Sequence, residues 1–343
     1  MRTLKLSAQS GTCSMALGES IGNLKEYCQG AGKVVAVTDS NVSRLHGAHL
    51  RGFEVIEIGL GEENKTLDTV NRIYARFLEL GLERDSVVVG VGGGIVCDVT
   101  GFAASTYMRG VPFGFVPTTL LAQVDASIGG KNGVNFGGYK NLVGTVRQPR
   151  FCLFDFSLLE TLPKREMRCG FAEIVKHAAI GDAALFSYLE TGWRRAFELN
   201  RTAIEKVVHD SLAVKMAIVG RDEGERGERM KLNFGHTLGH AIEKSSGIPH
   251  GEAVSVGMAA AARLSVKRGL LEKKEAGRLE ALLSGIGLPT SARFGREKVL
   301  DAMMKDKKRF SGKMKFVLLE GIGKARIEEI GLEELEAVLD DMH

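Results

Sequence analysis

The chain has 343 residues, with 46 lysines and arginines against 42 aspartates and glutamates; the net charge of +4 is too small and too dispersed to announce nucleic acid as a partner. A hydrophobic fraction of 44% excludes disorder along the whole chain, and an aromatic fraction of 6% with a single tryptophan, Trp193, disfavours a surface that stacks nucleobases. Cys13, Cys28, Cys97, Cys152 and Cys169 form no C-x-x-C pair, residues 1–20 lack a signal-peptide core and no stretch is apolar enough to span a bilayer, so the expectation is a cytoplasmic chain without a disulfide framework, a cysteine zinc site or a membrane partner.

The first half alternates between strand and helix patterns. Residues 33–39, 53–58, 86–91, 111–116 and 151–154 are short apolar, β-rich runs, and LDTVNRIYARFLEL between Thr66 and Leu80 repeats apolar residues at helical spacing. Strands apolar on both faces and separated by helices imply a parallel sheet covered on each side. After about Leu162 helical patterns dominate: REMRCGFAEIVKHAAI, TAIEKVVHDSLAVKMAIV, LNFGHTLGHAIEKSS and AVSVGMAAAARLSVKRG, punctuated by Pro163, Pro249 and Pro289. Residues 314–319 read as a small late strand. The expected architecture is α/β: a Rossmann-like, parallel-sheet NAD domain over 1–160, then a mainly α-helical metal- and substrate-binding domain over 161–343, with the site expected in the cleft between them.

Three features carry chemistry. GVGGGIVCD at 90–98 follows a buried strand and opens a helix; glycines there let the backbone approach a pyrophosphate, and the helix N-terminus offers free N–H groups. The order differs from the G-x-G-x-x-G fingerprint, because the candidate acid, Asp39, ends an earlier strand. A dinucleotide fits if Asp39 accepts from the adenosine ribose while Gly93 and Gly94 hold the diphosphate. Second, LNFGHTLGH sets His236 and His240 four residues apart on one helix face, His250 follows in IPHGE, and AEIVKH carries Glu173, Lys176 and His177. Imidazole with carboxylate suits zinc or a similar divalent ion. Spacing leaves two sets open: Glu173, His236 and His250, or a more closed, structural set of Glu173, His177, His236 and His240. Third, Arg109, Lys131, Lys140, Asn141, Lys176 and Arg229 lie beside glycine-rich or apolar stretches and suit a small anionic substrate, with ASIGGKNG at 126–133 reading as a loop. The basic run KDKKR at 305–309, taken alone, is a solvated helix end.

Taken together, GGGIVCD, GFAASTYMRG, PTTLLAQVDASIGGKNGVN, KNLVG, AEIVKH, LNFGHTLGHA and HGEAV resemble the 3-dehydroquinate synthase family in order and spacing from about Val34 to Leu319. The resemblance implies an NAD-dependent enzyme with one divalent metal ion, zinc or cobalt, acting on 3-deoxy-D-arabino-heptulosonate 7-phosphate, a sugar-acid phosphate. In the implied reaction C5 is oxidised, phosphate leaves by β-elimination, the hydride returns, and an intramolecular aldol step gives 3-dehydroquinate. By the same resemblance Asp39 meets the adenosine ribose, Glu62 and Lys65 border the nucleotide, and Gly93, Gly94 and Asp98 form the diphosphate turn. Thr118 and Thr119 lie beside the cofactor, Asp125 and Lys131 near nicotinamide and substrate, and Lys140 and Asn141 at further cofactor and substrate contacts. Glu173, His236 and His250 match the metal ligands. Lys176, Arg229, Asn233 and His240 match substrate-binding positions, with Lys131, Lys176, Glu225, Arg229, Asn233 and His240 as the catalytic group. Lys307 matches a late substrate lysine, with Lys308 a near alternative. Arg109 matches an arginine that reaches the phosphate of the partner subunit's substrate, which implies a homodimer. Cys97 stands where the family often has glycine, and the segment before Val34 matches nothing in it. Two neighbouring readings are another sugar phosphate cyclase, such as a 2-deoxy-scyllo-inosose synthase, and a metal-dependent polyol dehydrogenase. Lys140, Asn141, Arg229 and Asn233 together favour the first family, and a dehydrogenase would release NADH.

Overall fold

The computed structural model describes residues 2–293, 295, 297–300, 303 and 313–340. The chain divides into two compact units, Met1–Pro163 with Val219–Gly224, and Lys164–Ile218 with Glu225–His343. The fold is mixed α/β with a parallel sheet, as the sequence pattern implies. Among the described residues no helix is long and apolar enough to cross a membrane.

The first unit is built on a seven-stranded sheet of β1 (Arg2–Ala8), β2 (Gly11–Leu17), β3 (Val34–Asp39), β4 (Glu54–Ile58), β5 (Val87–Gly92), β6 (Phe113–Pro117) and β9 (Phe151–Phe154), in the order β1-β2-β9-β6-β5-β3-β4. All neighbours are parallel except β1 and β2, which form an antiparallel hairpin at one edge. That hairpin is the part the sequence pattern did not indicate. The central strand β5 is buried at every residue, which is why its sequence is continuously apolar and not alternating. Val87, Val89 and Val91 pack on one side with Ile21, Leu24, Leu50 and Leu158. After α1 (Leu24–Tyr27), α2 (Ser40–His46) and α3 (Leu67–Glu79), helix α4 (Gly94–Thr106) packs against β5 and β6. A second hairpin, β7 (Lys131–Phe136) with β8 (Tyr139–Val146), packs on α4. The stretch 126–133, expected as a loop, therefore ends a π-helical turn at Ala122–Ala126 and enters β7 at Lys131, because the glycines at 129 and 130 turn the chain with positive φ before the ladder begins. Glu223, which follows the helix Arg201–Arg221, is buried in this unit and accepts from Ser10 N at 2.9 Å, Ser10 Oγ at 2.5 Å and Gln148 Nε2 at 2.7 Å. A buried carboxylate needs such donors.

The strand order places a topological switch between β3 and β5. The chain runs from β3 outward to β4, then returns to β5 on the other side of β3. In open parallel sheets the carboxyl ends of strands at such a point form the ligand crevice. Asp39 ends β3, and Gly92 ends β5.

The second unit is helical, with α5 (Lys164–Gly181), α6 (Ala183–Phe197), α7 (Arg201–Arg221), α8 (His236–Ser246), α9 (His250–Lys267) and α10 (Lys273–Ile286), then a hairpin of β10 (Met314–Gly321) and β11 (Lys324–Ile330) and a last helix, Leu332–Asp340. Helix α9 is central and packs on α5, α8, α10 and β10. Its sequence, HGEAVSVGMAAAARLSVK, is rich in glycine and alanine and is buried at Gly251 and from Ala253 to Ala262. Small residues let helix axes come close. A Cβ on Gly251 would collide with Cys169 Cα of α5, and one on Gly257 would collide with Gly235 O at the entry to α8.

LNFGHTLGHAIEKSS, read as one helix, is in fact two pieces. A 3-10 turn at Glu228–Asn233 ends before Gly235, whose φ of +79° lies in the left-handed region, and α8 starts at His236. A side chain at Gly235 would be strained by that backbone and would lie 2.6 Å from Met258 Cγ and 2.7 Å from Val254 O.

Gly257→Ala is expected to destabilise the protein by about 2–4 kcal/mol in urea titration, because the added methyl meets main chain that cannot rotate away. Gly277→Ala on the exposed side of α10, with nothing within 4 Å, is the control and is expected to be neutral or stabilising. Equal effects of the two would contradict the packing argument.

Candidate active site

Within the helical unit, Glu173, His236 and His250 converge. One ligand atom from each lies within 4.8 Å of the others. His236 Nε2 is 3.6 Å and His250 Nε2 is 3.8 Å from Glu173 Oε1. These distances are too long for hydrogen bonds. They are slightly wider than the spacing of roughly 3.3–3.6 Å that ligand atoms take around one tetrahedral ion with bonds of about 2.0–2.2 Å. Glu173 is fully buried, and Oε1 accepts no hydrogen bond. Lys176 pairs with the other oxygen, Oε2, so what remains is Oε1, a buried acceptor aimed at two imidazole nitrogens, which a bound cation would satisfy. Two histidines and a glutamate also form a donor set that leaves positions open for a substrate. The residues present fit a divalent ion.

His177, a member of the alternative set, is buried, and its Nδ1 lies 2.8 Å from Ser211 Oγ on α7, while one of its ring nitrogens also lies within 4.8 Å of a Glu173 carboxylate oxygen. His240 sits one turn along α8 from His236, exposed, with ring centroids 5.2 Å apart, and its ring is 5.8 Å from that of His250. Lys176, three residues after Glu173 on α5, is buried and ion-paired with its Oε2. Arg229 is buried as well, in the turn before Gly235. Asn233 Nδ2 donates to Glu225 Oε1 at 2.8 Å, and Glu225 holds a φ of +56°, an unusual conformation for a residue with a side chain.

The first unit gathers a second group. Helix α4 begins with Gly93 as its cap, with no side chain bonding the free N–H groups of its first turn. A Cβ on Gly93 would lie 3.1 Å from Thr119 Cγ2, and one on Gly94 3.1 Å from Ala126 Cβ, so side chains in the turn would be crowded. Thr118 is buried and its N–H donates to Gly92 O at 2.9 Å, which sets the ends of β5 and β6 side by side. Asp39 accepts from Val42 N at 2.9 Å through Oδ1, so it caps the helix Ser40–His46. Lys65, buried, pairs with Asp98 at 2.5 Å. Asn135 N donates to Lys65 O at 2.8 Å, while Asn135 Nδ2 donates to Glu62 Oε1 at 2.8 Å. Lys140 Nζ is 4.0 Å from the same Glu62 oxygen, and Asn141 N donates to Asn135 Oδ1 at 2.9 Å. The two segments 62–65 and 135–141 thus meet at the start of α4.

Asp125 lies in the π-helical turn, Lys131 is exposed at the head of β7, and Arg109 is exposed in a 3-10 turn with a φ of +66°. Lys307 and Lys308 lie outside the described residues.

Family models of the 3-dehydroquinate synthase N-terminal region and C-terminal region match residues 55–169 and 170–309. The chain belongs to the 3-dehydroquinate synthase family. A 3-dehydroquinate synthase of Dehalococcoides mccartyi (strain CBDB1) is 44% identical over 322 residues, covering 90% of each chain. Among solved structures, a 2-deoxy-scyllo-inosose synthase complexed with carbaglucose-6-phosphate, NAD+ and Co2+ is 26% identical with a TM-score of 0.89, covering 100% of both chains. ValA, a 2-epi-5-epi-valiolone synthase from Streptomyces hygroscopicus subsp. jinggangensis 5008 with NAD+ and Zn2+ bound, is 29% identical with a TM-score of 0.88, covering 100% of this chain and 99% of that one. The higher identity to 3-dehydroquinate synthases than to these cyclases favours the first family over the neighbouring readings.

Four of the five cysteines are poorly suited to act as nucleophiles. Burial pushes Cys28 and Cys169 up to about 11, and drives Cys97 and Cys152 upward too. Lys215 on α7 is among the polar residues the sequence pattern does not mark: it is 5% exposed, and a lysine stands out only once its burial is known.

Burial raises the Asp98 carboxyl above its ordinary value, and Lys65 pulls it back. The folded state therefore holds this proton more tightly than the unfolded one. The associated stability is complete below the ordinary carboxylate value and is lost as pH rises through the folded value. Lys65→Met removes the opposing cation. An NMR titration of the Asp98 carboxyl carbon is expected to show a higher midpoint in the variant; an unchanged midpoint would contradict the pairing.

Proposed function

We propose that this protein catalyses the 3-dehydroquinate synthase reaction, converting 3-deoxy-D-arabino-heptulosonate 7-phosphate into 3-dehydroquinate and inorganic phosphate. The observation that carries the proposal is the convergence of Glu173, His236 and His250 in a chain 44% identical to a protein of that name. The cofactors are NAD and one zinc or cobalt ion, supported by neighbours that hold NAD+ with Co2+ or Zn2+.

In the proposed division of labour, residues 1–160 bind the nucleotide and 161–343 hold the metal and substrate. Asp39 meets the adenosine ribose through its remaining oxygen, and the backbone of Gly93 and Gly94 takes the diphosphate at the start of α4, where free N–H groups favour an anion. Asp98, Lys65, Glu62, Thr118, Thr119 and Lys140 border the nucleotide. Glu173, His236 and His250 hold the ion. When bound, the ion supplies a Lewis acid that acidifies a substrate hydroxyl, and NAD supplies a hydride acceptor that is regenerated in each turnover.

The chain's own residues bind and orient the substrate. Lys176 and Arg229 bring buried positive charge, which suits an anion more than water would, because a desolvated cation interacts strongly with an opposite charge. Asn233, braced by Glu225, offers an oriented amide. Lys131, Asp125, Asn141, His240 and Lys307 complete the substrate contacts. Holding one conformer of a flexible intermediate is an orientation effect that favours the correct ring closure. The protein acts as a cytoplasmic homodimer in which Arg109 binds the phosphate of the substrate in the partner subunit. Free cysteines at all five positions agree with a reducing compartment.

Incubated with the heptulosonate phosphate, NAD+ and zinc, the protein is expected to release phosphate and form the cyclic product with no net NADH absorbance. Accumulating NADH would point to a dehydrogenase. His236→Ala is expected to lose bound metal and turnover together; full activity without metal would rule out the ligand assignment. Arg109→Ala is expected to raise KM roughly 30-fold, from the loss of about 2 kcal/mol of charge-assisted hydrogen bonding to phosphate. An unchanged KM would remove Arg109 from the site.

A further inference from the structure

The two histidines that face Glu173 are held in different ways. Each presents Nε2 to Glu173 Oε1, so each has Nδ1 available on the opposite side of the ring. His236 Nδ1 lies 3.3 Å from the main-chain carbonyl of Phe234. Its side chain is 10% exposed, so backbone and packing both fix the ring. His250 has less support. It is the first residue of α9, follows Pro249, and its side chain is 32% exposed. Its Nδ1 lies 3.2 Å from Glu243 Oε2, a carboxylate on α8 whose side chain is 15% exposed.

We propose that Glu243 is a positioning residue for the metal site: by accepting a hydrogen bond from His250 Nδ1–H, it turns Nε2 toward Glu173 and strengthens His250 as a ligand. The reading rests on Glu173, His236 and His250 being the ligands, and adds a residue that touches none of the reacting atoms. A carboxylate on the far nitrogen of a ligating imidazole fixes which nitrogen carries the proton and makes the other a better donor. The last turn of α8 is suited to the task. Gly247 closes that helix with a φ of +70°, its N–H bonding to Glu243 O at 2.9 Å, so the main chain of Glu243 is anchored while its side chain reaches the head of α9.

The same atoms admit one competing arrangement. His240, Glu243 and His250 also bring ligand atoms within 4.8 Å of one another. A second ion there would bind His250 through Nδ1 while the first binds Nε2, and an imidazole bound through both nitrogens must lose its second proton. The hydrogen-bonded arrangement needs no such loss, which is why positioning is the better assignment.

The test is Co2+ binding to the full-length protein, by competition with a chromophoric chelator, together with the visible spectrum of the bound ion and the melting temperature of the metal-free protein. Wild type is expected to bind one Co2+ tightly and His236→Ala to lose it. Glu243→Ala is expected to keep a stoichiometry of one, weaken Co2+ affinity about 10–100-fold, and shift the cobalt bands as His250 loses its fixed orientation. Its metal-free melting temperature is expected to match wild type. Glu243→Gln keeps an acceptor oxygen at the same reach without the charge, and is expected to restore the spectrum and recover part of the affinity. It also serves as the probe if the alanine variant folds poorly. Wild-type affinity in both Glu243 variants would overturn the inference while leaving the three ligands in place. Two ions in wild type and one in Glu243→Ala would overturn it too, by making Glu243 a ligand. Wild-type binding by His236→Ala would overturn the ligand assignment and this inference with it.

Discussion

Close approach at helix α9 is the constraint on which the rest depends. Glu173, His236 and His250 come from three helices, and they meet because α9 carries glycine at its tightest contacts with α5 and with the entry to α8. Gly251 lets its first turn lie against Cys169 of α5, and Gly257, further along α9, lets that helix touch the carbonyl of Gly235. The first contact sets the head of α9, with His250, against the helix that carries Glu173. The second sets it against the entry to α8, where Gly235 reverses the chain just before His236. Packing energy thus holds an imidazole pair against a buried carboxylate, an arrangement that repels water without offering the carboxylate a hydrogen bond of its own at Oε1. Lys176 answers Oε2, and a bound ion would answer Oε1.

The sheet unit solves a different problem with similar means. Its turn after β5 is made of glycine, which leaves backbone exposed there in place of side chains, and the residues that border it are joined by short polar contacts. Lys65 neutralises Asp98, while Asn135 ties the 62–65 segment to the β7–β8 hairpin.

Much of this was legible in the sequence, for physical reasons that differ by element. Strands β3, β5, β6 and β9 are buried on both faces, so their apolar runs could be read directly. The β1–β2 hairpin alternates weakly, as RTLKLSA and GTCSMAL, and an edge hairpin of that kind has no strong signature. The GVGGGIVCD turn was legible because glycines after an apolar strand have few other uses. The break at Gly235 was not, since LNFGHTLGH has a helical pattern throughout and only the approach of Met258 and Val254 requires the left-handed turn. Spacing left two sets open among Glu173, His177, His236, His240 and His250 and could not choose between them; the hydrogen bond between His177 and Ser211 depends on α7, distant in sequence. Asp39 reads as a ligand acid, yet its capping of the next helix appears only in three dimensions. Glu243 and Lys215 belong to the same class: ordinary helical residues by pattern, made notable by where the fold puts them.

The central claim is that Glu173, His236 and His250 share one ion. X-ray absorption at the metal edge of the zinc-loaded protein tests it most directly. The account predicts a shell of low-Z ligands with the multiple-scattering signature of two imidazoles, reduced to one in His250→Ala. A shell containing sulfur, or two imidazoles retained in that variant, would contradict it.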